Sequence, residues 1–240
     1  MLPAPEDHPV SVLKVELSGG IATLTLARPD ALNALSRELR AAISDTFDSL
    51  RENEAARVVI LTGAGRAFSA GIDLKELGSE RSVESSGATD YSMVDAIHRF
   101  PGPVIGGING HAITGGFELA LACDVLIAST NAVFADTHAR VGIVPGWGLS
   151  QKLPRLIGIS RAKELAFTGN FMDAEQAERW GLVNRVVEPE ALLPVCRGLA
   201  EDMRSTDPPS LVRYKQMIDA GYAETFGDGL RIEQSLSRAH

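Results

Sequence analysis

Short apolar strands that run into glycine-rich turns constrain the fold of this chain more than any other feature. Three of these strands, 57–62, 104–108 and 124–128, have the continuous apolar character of strands buried on both faces. Helical patterns alternate with them, and the clearest are the amphipathic segment 31–51 and the apolar segment 115–123. Strand, turn and helix therefore recur in order, which predicts an α/β fold with a helical section at its C-terminal end.

Composition and charge exclude several classes of protein. The 240 residues carry a net charge of −8, so nucleic acid is not an expected partner. The most apolar stretch, 117–128, is interrupted by Glu118 and Asp124 and is too short to span a membrane. The five histidines and two cysteines have neither the spacing of metal ligands nor that of a disulfide framework. We therefore expect a cytoplasmic protein that binds no metal, membrane or nucleic acid.

Two segments, 67–75 and 109–118, share a design that suits the binding of an anion. In each, a strand ends in small residues and a turn leads towards a helix. Glycine permits positive φ and a close approach of backbone to a ligand, and a helix start supplies amides that have no intrahelical partner. Two such amides converging on one oxygen would form an oxyanion hole. Either segment alone is explained better by tight turns and close helix–strand packing.

Glu118 favours the catalytic interpretation of these turns. It follows Phe117 and precedes Leu119 on a helix that should be buried, where an unpaired carboxylate is costly. It also lies three residues after Gly115, and therefore on the same helix face. A carboxyl group beside an anion-binding turn suits a general acid or base whose pKa is raised by burial.

These motifs resemble the signature segments of the crotonase (enoyl-CoA hydratase/isomerase) family. The similar stretches are LTLARPDALNAL, AFSAGIDLKEL, PVIGGINGHAITGGFELALACDVLIA and FADTHARVGIVPGWGLSQKLPRLIG. The resemblance implies a ClpP/crotonase-like spiral of ββα units over residues 1–190. It also implies that residues 191–240 form a helical oligomerisation region of the same domain, through which trimers or hexamers assemble. An acyl-CoA thioester is the implied substrate, as in fatty acid metabolism, and CoA is then part of the substrate and not a cofactor.

The resemblance also assigns roles to individual residues. The backbone amides of Ile72 and Gly115 would be the oxyanion-hole donors, and Glu118 would be the main acid–base residue. Trp147 would line or close the acyl pocket, although a packing role explains it nearly as well. The implied substrate- and CoA-binding residues are Ala70, Ile72, Asp73, Leu74, Lys75, Gly115 and Trp147.

His138 departs from the family pattern. Hydratases of the family carry two glutamates that position and activate water, and the second falls at His138 here. Histidine acts as an acid or base near neutral pH, so one glutamate and one histidine could still form a water site. Asp136 would be a structural or orienting partner of this histidine.

Enoyl-CoA hydratase, a lyase that adds water to a 2-enoyl-CoA through an enolate, is the leading hypothesis for the function. One alternative is another crotonase reaction, catalysed by an isomerase, decarboxylase or hydrolase that uses Glu118 alone. The other is an acyl-CoA-binding protein that has kept the pocket and lost the chemistry.

Overall fold

The computed structural model describes residues 11–73, 75–76 and 92–238. The strands in these ranges are β1 (Leu13–Ser18), β2 (Ile21–Leu26), β3 (Val58–Gly63), β4 (Ala67–Ser69), β5 (Val104–Ile108), β6 (His111–Ile113), β7 (Val125–Ser129), β8 (Val133–Ala135), β9 (Phe171–Asp173) and β10 (Arg185–Val187). The α-helices are α1 (Arg37–Glu52), α2 (Ser92–Arg99), α3 (Gly115–Leu121), α4 (Leu149–Ile157), α5 (Ile159–Thr168), α6 (Ala174–Arg179), α7 (Leu192–Arg204), α8 (Pro208–Tyr222) and α9 (Phe226–Arg238).

Two sheets form the body of the protein. The larger has the strand order β1-β2-β3-β5-β7-β10 and is parallel except for the β1–β2 hairpin. The smaller has the order β4-β6-β8-β9 and is parallel except for β9. The successive pairs β3–β4, β5–β6 and β7–β8 each place one strand in each sheet before the chain continues into a helix. This repetition is the ββα spiral that the sequence resemblance implies.

The strand β3 shows why its sequence is continuously apolar. Val59 and Leu61 belong to the main core, which lies between the larger sheet and the helices of the spiral. Val58 and Ile60 belong to a second cluster, in which the buried face of α7 packs against the opposite face of the sheet. Because side chains alternate between the two faces of a strand, a strand covered on both faces needs apolar residues at every position.

The helix predicted over residues 31–51 starts six residues later than expected. Its first turn is interrupted by Leu32 and Asn33, whose φ angles are 52° and 53°, and α1 begins at Arg37. Ser36 is its N-cap and accepts a hydrogen bond from Leu39 N at 3.3 Å. The apolar spacing of residues 31–36 therefore reflects burial in a loop and not helical periodicity.

The smaller sheet was not predicted. Its strands β4, β6, β8 and β9 have three residues each, which is too short for an alternating pattern to be recognised. Pairing with neighbours that are distant in the chain therefore decides their structure.

The last two helices stand apart from the core. The helices α8 and α9 pack mainly on each other and contain no buried residue. The groove between them has a volume of about 650 Å³. Its apolar lining residues that are exposed are Tyr214, Ile218, Tyr222, Phe226 and Leu230. Within the described part of the chain, no helix combines the length and apolarity needed to cross a membrane.

Candidate active site

The predicted site segments meet at one edge of the smaller sheet. The strands β4, β6 and β8 are parallel neighbours, so the turns that follow their carboxyl ends lie side by side. These turns begin at Ala70, Thr114 and Asp136 respectively. Strand pairing therefore brings together the segments that start at Ala70, Thr114 and Asp136, which are distant in the chain.

The amides of Ile72 and Gly115 lie in turns that touch. Gly71, with φ of 90°, approaches so closely that a Cβ added there would be 3.1 Å from Gly115 N. A Cβ added at Gly115 would be 3.4 Å from Ile72 N. Among the residues described, no hydrogen-bond acceptor is paired with either N–H. Two backbone donors from separate turns are therefore adjacent and available to a ligand.

Asn33 holds the first of these turns and was missed by the sequence reasoning. This residue is fully buried, and its side-chain nitrogen donates to Ala64 O at 2.9 Å and to Ala67 O at 2.7 Å. The neighbouring carbonyl of Leu32 accepts from Ala70 N at 3.0 Å. The available signal was an asparagine within an apolar stretch, a residue type that tolerates the left-handed conformation.

The second turn stores backbone strain. Thr114 has φ 54° and ψ −112°, a region that β-branched residues rarely adopt. Its amide donates to Ala135 O at 2.8 Å, and its hydroxyl group is hydrogen-bonded to that of Thr137. The first contact comes from the last residue of β8 and the second from the turn that follows it, so this part of the chain supports the turn that presents Gly115.

Glu118 is buried with a partner for each carboxylate oxygen. Its side chain is 3% exposed, and Oε2 lies 3.3 Å from His138 Nε2. Oε1 accepts from Trp147 N at 2.7 Å and from Leu149 N at 3.3 Å. Backbone amides at the start of α4 thus offset the cost of burying the carboxylate. The contribution of the Trp147 amide was not predicted, because no sequence pattern reports a backbone donor.

His138 lies between two carboxylates. Its Nδ1 is 2.7 Å from Asp136 Oδ1, while Nε2 faces Glu118, and all three side chains are buried. Burial lowers the pKa of His138, but hydrogen bonds to Asp136 and Glu118 and the charges of both carboxylates outweigh it and raise the pKa to about 9. The ring is therefore an imidazolium at neutral pH. Its 3.3 Å contact with Glu118 leaves no space for a water molecule between them.

Comparison with known proteins then decides the family. A sequence profile of the family described as enoyl-CoA hydratase/isomerase matches residues 16–239. The chain belongs to the enoyl-CoA hydratase/isomerase family. The predicted family and the crotonase-like fold are thereby confirmed.

Relatives within the enoyl-CoA hydratase/isomerase family cover most of the chain. The probable peroxisomal enoyl-CoA hydratase 1 of Arabidopsis thaliana is 42% identical over 93% of this chain and 84% of its own length. A crystal structure of an enoyl-CoA hydratase from Bacillus anthracis has a TM-score of 0.91 at 35% identity and covers 95% of this chain and 90% of its own. A monofunctional enoyl-CoA isomerase from M. smegmatis has a TM-score of 0.80 at 37% identity, covering 92% and 98%.

The remaining predicted site residues of this family member differ in their surroundings. Asp73 forms an ion pair with Arg28 at 3.0 Å and accepts a hydrogen bond from Lys75 N, so its carboxylate braces the turn. The Lys75 side chain is exposed, and Leu74 lies outside the described residues. Trp147 is buried, and its ring would be 3.2 Å from a Cβ at Gly115.

Within residues 11–73, 75–76 and 92–238, no three His, Cys, Asp or Glu side chains are grouped so that they could hold a metal ion.

The charge of His138 predicts a pH-dependent stability for this family member. Its pKa is about 9 in the folded protein against an ordinary value of 6.5. Its contribution to the free energy of unfolding is therefore complete below pH 6.5 and is lost as the pH rises through about 9. A shift of this size corresponds to roughly 3 kcal/mol. The free energy of unfolding, measured with urea between these pH values, should decline in wild type but not in His138→Gln. An equal pH dependence in the two proteins would contradict the assignment.

Proposed function

We propose that this protein is an enoyl-CoA hydratase, a lyase that adds water across the double bond of a 2-enoyl-CoA. The proposal rests on the buried contact between Glu118 and the His138 imidazolium, beside the two adjacent amides of Ile72 and Gly115. The similarity to proteins named enoyl-CoA hydratase supports an acyl-CoA-processing enzyme.

The two amides suit the charge that develops on the thioester. When water attacks C3 of a 2-enoyl thioester, electrons move towards the carbonyl oxygen and produce an enolate. Donation from Ile72 N and Gly115 N to that oxygen would stabilise the negative charge more in the transition state than in the bound substrate. A missing donor of this kind typically slows a reaction by about 10²–10³-fold.

Glu118 and His138 can supply both proton transfers of the addition. The Glu118 carboxylate takes a proton from water as the water oxygen bonds to C3, and the His138 imidazolium gives its Nε2 proton to C2. Glu118 then returns its proton to His138 across the 3.3 Å contact, so one molecule of water is added and both groups are restored. Since the two groups touch, the reacting water would bind alongside the pair and not between them.

Substrate contacts follow from the same geometry. The Trp147 ring packs beside Gly115 and would bound the acyl chain near the thioester. Ala70 and Lys75 flank the Ile72 turn and would lie on the CoA side of the pocket, while Asp73 would act through its ion pair with Arg28. The contact of Leu74 with CoA remains a prediction from the resemblance, and CoA would enter and leave as part of the substrate.

Product identification with crotonyl-CoA tests the proposed function. Wild type should convert it to the 3-hydroxyacyl thioester, which gains the mass of water. His138→Gln removes the proposed proton donor and should lower kcat by about 10²–10⁴-fold. His138→Glu recreates the two-glutamate pattern. An inert wild type together with an active His138→Glu would show that His138 marks a different reaction.

Double-bond isomerisation is the second candidate, and the similarity to a monofunctional enoyl-CoA isomerase favours it. One base can move a proton between two carbons, so Glu118 alone would be sufficient. A 3-enoyl-CoA substrate distinguishes the two reactions, because an isomerase produces the 2-enoyl isomer with unchanged mass. Accumulation of that isomer without a hydrated product would favour the isomerase.

Oligomer assembly is proposed from the exposed C-terminal helices. The groove between α8 and α9 exposes five large apolar side chains, from Tyr214 to Leu230, and contiguous apolar surface of this kind marks an interaction site. Trimers or hexamers formed through residues 191–240 would cover it. A single-subunit mass by light scattering at micromolar concentration would contradict this proposal.

A reducing compartment such as the cytoplasm is proposed from the cysteines. Cys123 and Cys196 are free thiols, and burial raises the pKa of Cys196 to about 12, which keeps it protonated and unreactive. Protein isolated without reductant should titrate both thiols after unfolding. A disulfide between subunits would contradict the proposal.

A further inference from the structure

Among the described residues, Asp136 makes two side-chain hydrogen bonds, both to His138. Its side chain is buried at the end of β8. Oδ1 accepts from the His138 amide at 3.2 Å and lies 2.7 Å from His138 Nδ1. The side chain thus closes a small ring with the residue two positions later, and this ring determines where the imidazole points.

The two ring nitrogens of His138 face different carboxylates. Glu118 approaches Nε2 from α3, and Asp136 approaches Nδ1 from the same turn as His138. The amides of Trp147 and Leu149, at the start of α4, donate to the other oxygen of Glu118. A neutral imidazole has one N–H, so it could donate to only one of the two carboxylates. When both carboxylates are ionised, donation to both of them requires the doubly protonated ring.

We propose that Asp136 is a positioning residue that keeps His138 doubly protonated and turns its Nε2–H towards Glu118 and the substrate. The role of the ring as proton donor rests on the proposed hydratase function, whereas its protonation state does not. Without the charge of Asp136, one carboxylate would remain to balance the buried imidazolium, and the pKa of the ring would fall.

The variant Asp136→Asn tests the charge of this side chain separately from its shape. Asparagine keeps the size of the side chain and an Oδ1 acceptor for both donors of His138, but it carries no charge. The matched control is Asp45→Asn, which removes one carboxylate from an exposed position on α1. A purely structural role for Asp136 would change the unfolding midpoint without changing the protonation of His138.

The pH dependence of crotonyl-CoA hydration tests the catalytic consequence. In wild type, kcat should be lost as the pH rises through about 9, the pKa of the His138 ring. In Asp136→Asn this alkaline limb should move down by about two pH units, so that kcat at pH 8 falls roughly tenfold with KM changed by less than about twofold. Asp45→Asn should match wild type. If wild type is active and Asp136→Asn retains both its kcat and its alkaline limb, the proposal is overturned.

Titration of the ring by NMR tests the protonation without relying on activity. In protein labelled at histidine, the His138 signal is assigned by its absence in His138→Gln. Its midpoint should lie well above 6.5 in wild type and should fall in Asp136→Asn. If wild type does not hydrate crotonyl-CoA, the hydratase proposal fails, and this shift alone decides the role of Asp136. A wild-type midpoint at or below 6.5 overturns the proposal even if Asp136→Asn does not fold.

Discussion

Replacing Glu118 by glutamine should lower kcat for crotonyl-CoA hydration by about 10²–10⁴-fold, because the variant has no carboxylate to accept the proton of water. The amide oxygen of glutamine can still accept from Trp147 N, as Glu118 Oε1 does at 2.7 Å. The fold and the two oxyanion amides should therefore be retained. KM should change little, because the interactions of Ile72 and Gly115 with the thioester are untouched.

Glu118→Gln should also change His138. With its oxygen directed at Trp147, the glutamine would present its NH₂ group to His138 Nε2, and two donors would then face each other. The ring should respond by losing its Nε2 proton, while Nδ1–H remains on Asp136. The variant therefore removes the base and also takes the proton from the acid. This places the expected loss of kcat towards the upper end of the range.

Steady-state kinetics and urea unfolding on the same preparation check this prediction. Glu54→Gln, which makes the same change at an exposed position, is the matched control and should retain wild-type kcat. A Glu118→Gln protein that is folded and hydrates crotonyl-CoA within about threefold of wild type would remove Glu118 from the mechanism.

Alanine at Gly115 should leave the protein folded and reduce kcat/KM by about 10²–10³-fold. The added methyl group would lie 3.2 Å from the Trp147 ring and 3.4 Å from Ile72 N. The contact with the ring is tight, but a small shift of the ring can relieve it, and the distance to Ile72 N is an ordinary van der Waals contact. The methyl group would then lie beside the Ile72 amide, and we expect it to hinder the thioester oxygen from reaching the two donors together.

Alanine at the next residue, Gly116, should instead lower the stability of the fold. Its Cβ would lie 2.0 Å from Ser69 O, and the atom in its way belongs to the backbone of β4, which side-chain movement cannot shift. We expect a loss of at least about 3 kcal/mol in the free energy of unfolding, seen as a lower urea midpoint or as insoluble protein.

The adjacent glycines Gly115 and Gly116 serve as controls for each other. Both variants add one methyl group to the first turn of α3, so a general effect on the helix would appear in both. Wild-type activity in Gly115→Ala would show that its amide does not bind the substrate oxygen. Wild-type stability in Gly116→Ala would show that α3 does not pack against β4 as described.

Much of the larger sheet and of α3, the helix that carries Glu118, could be predicted from the residues. The apolar run of β3 signals a strand covered on both faces, and the pattern at Leu149–Ile157 matches α4 at both ends. Glu118 was recognisable because a carboxylate inside an apolar helix is costly unless it has a partner. These signals are local, since each is contained in a few consecutive residues.

Other parts of the site could not be predicted in this way. Asn33 and the Trp147 amide act through hydrogen bonds to segments that are distant in the chain, and no local pattern reports such partners. His138 was recognised only as a departure from a motif. Its position between Asp136 and Glu118, and therefore its charge, depends on the pairing of β8 with β6.

The amino-acid sequence by itself determined which groups are available: a carboxylate in an apolar helix, two glycine turns, and a histidine where the family has glutamate. Only the tertiary structure decided their state, because a pKa depends on burial and on the charges within a few ångströms. The same histidine would be mostly neutral at pH 7 in water. Parallel pairing of β6 and β8 places it against Glu118, in addition to Asp136 in its own turn, and these two contacts make it a cation.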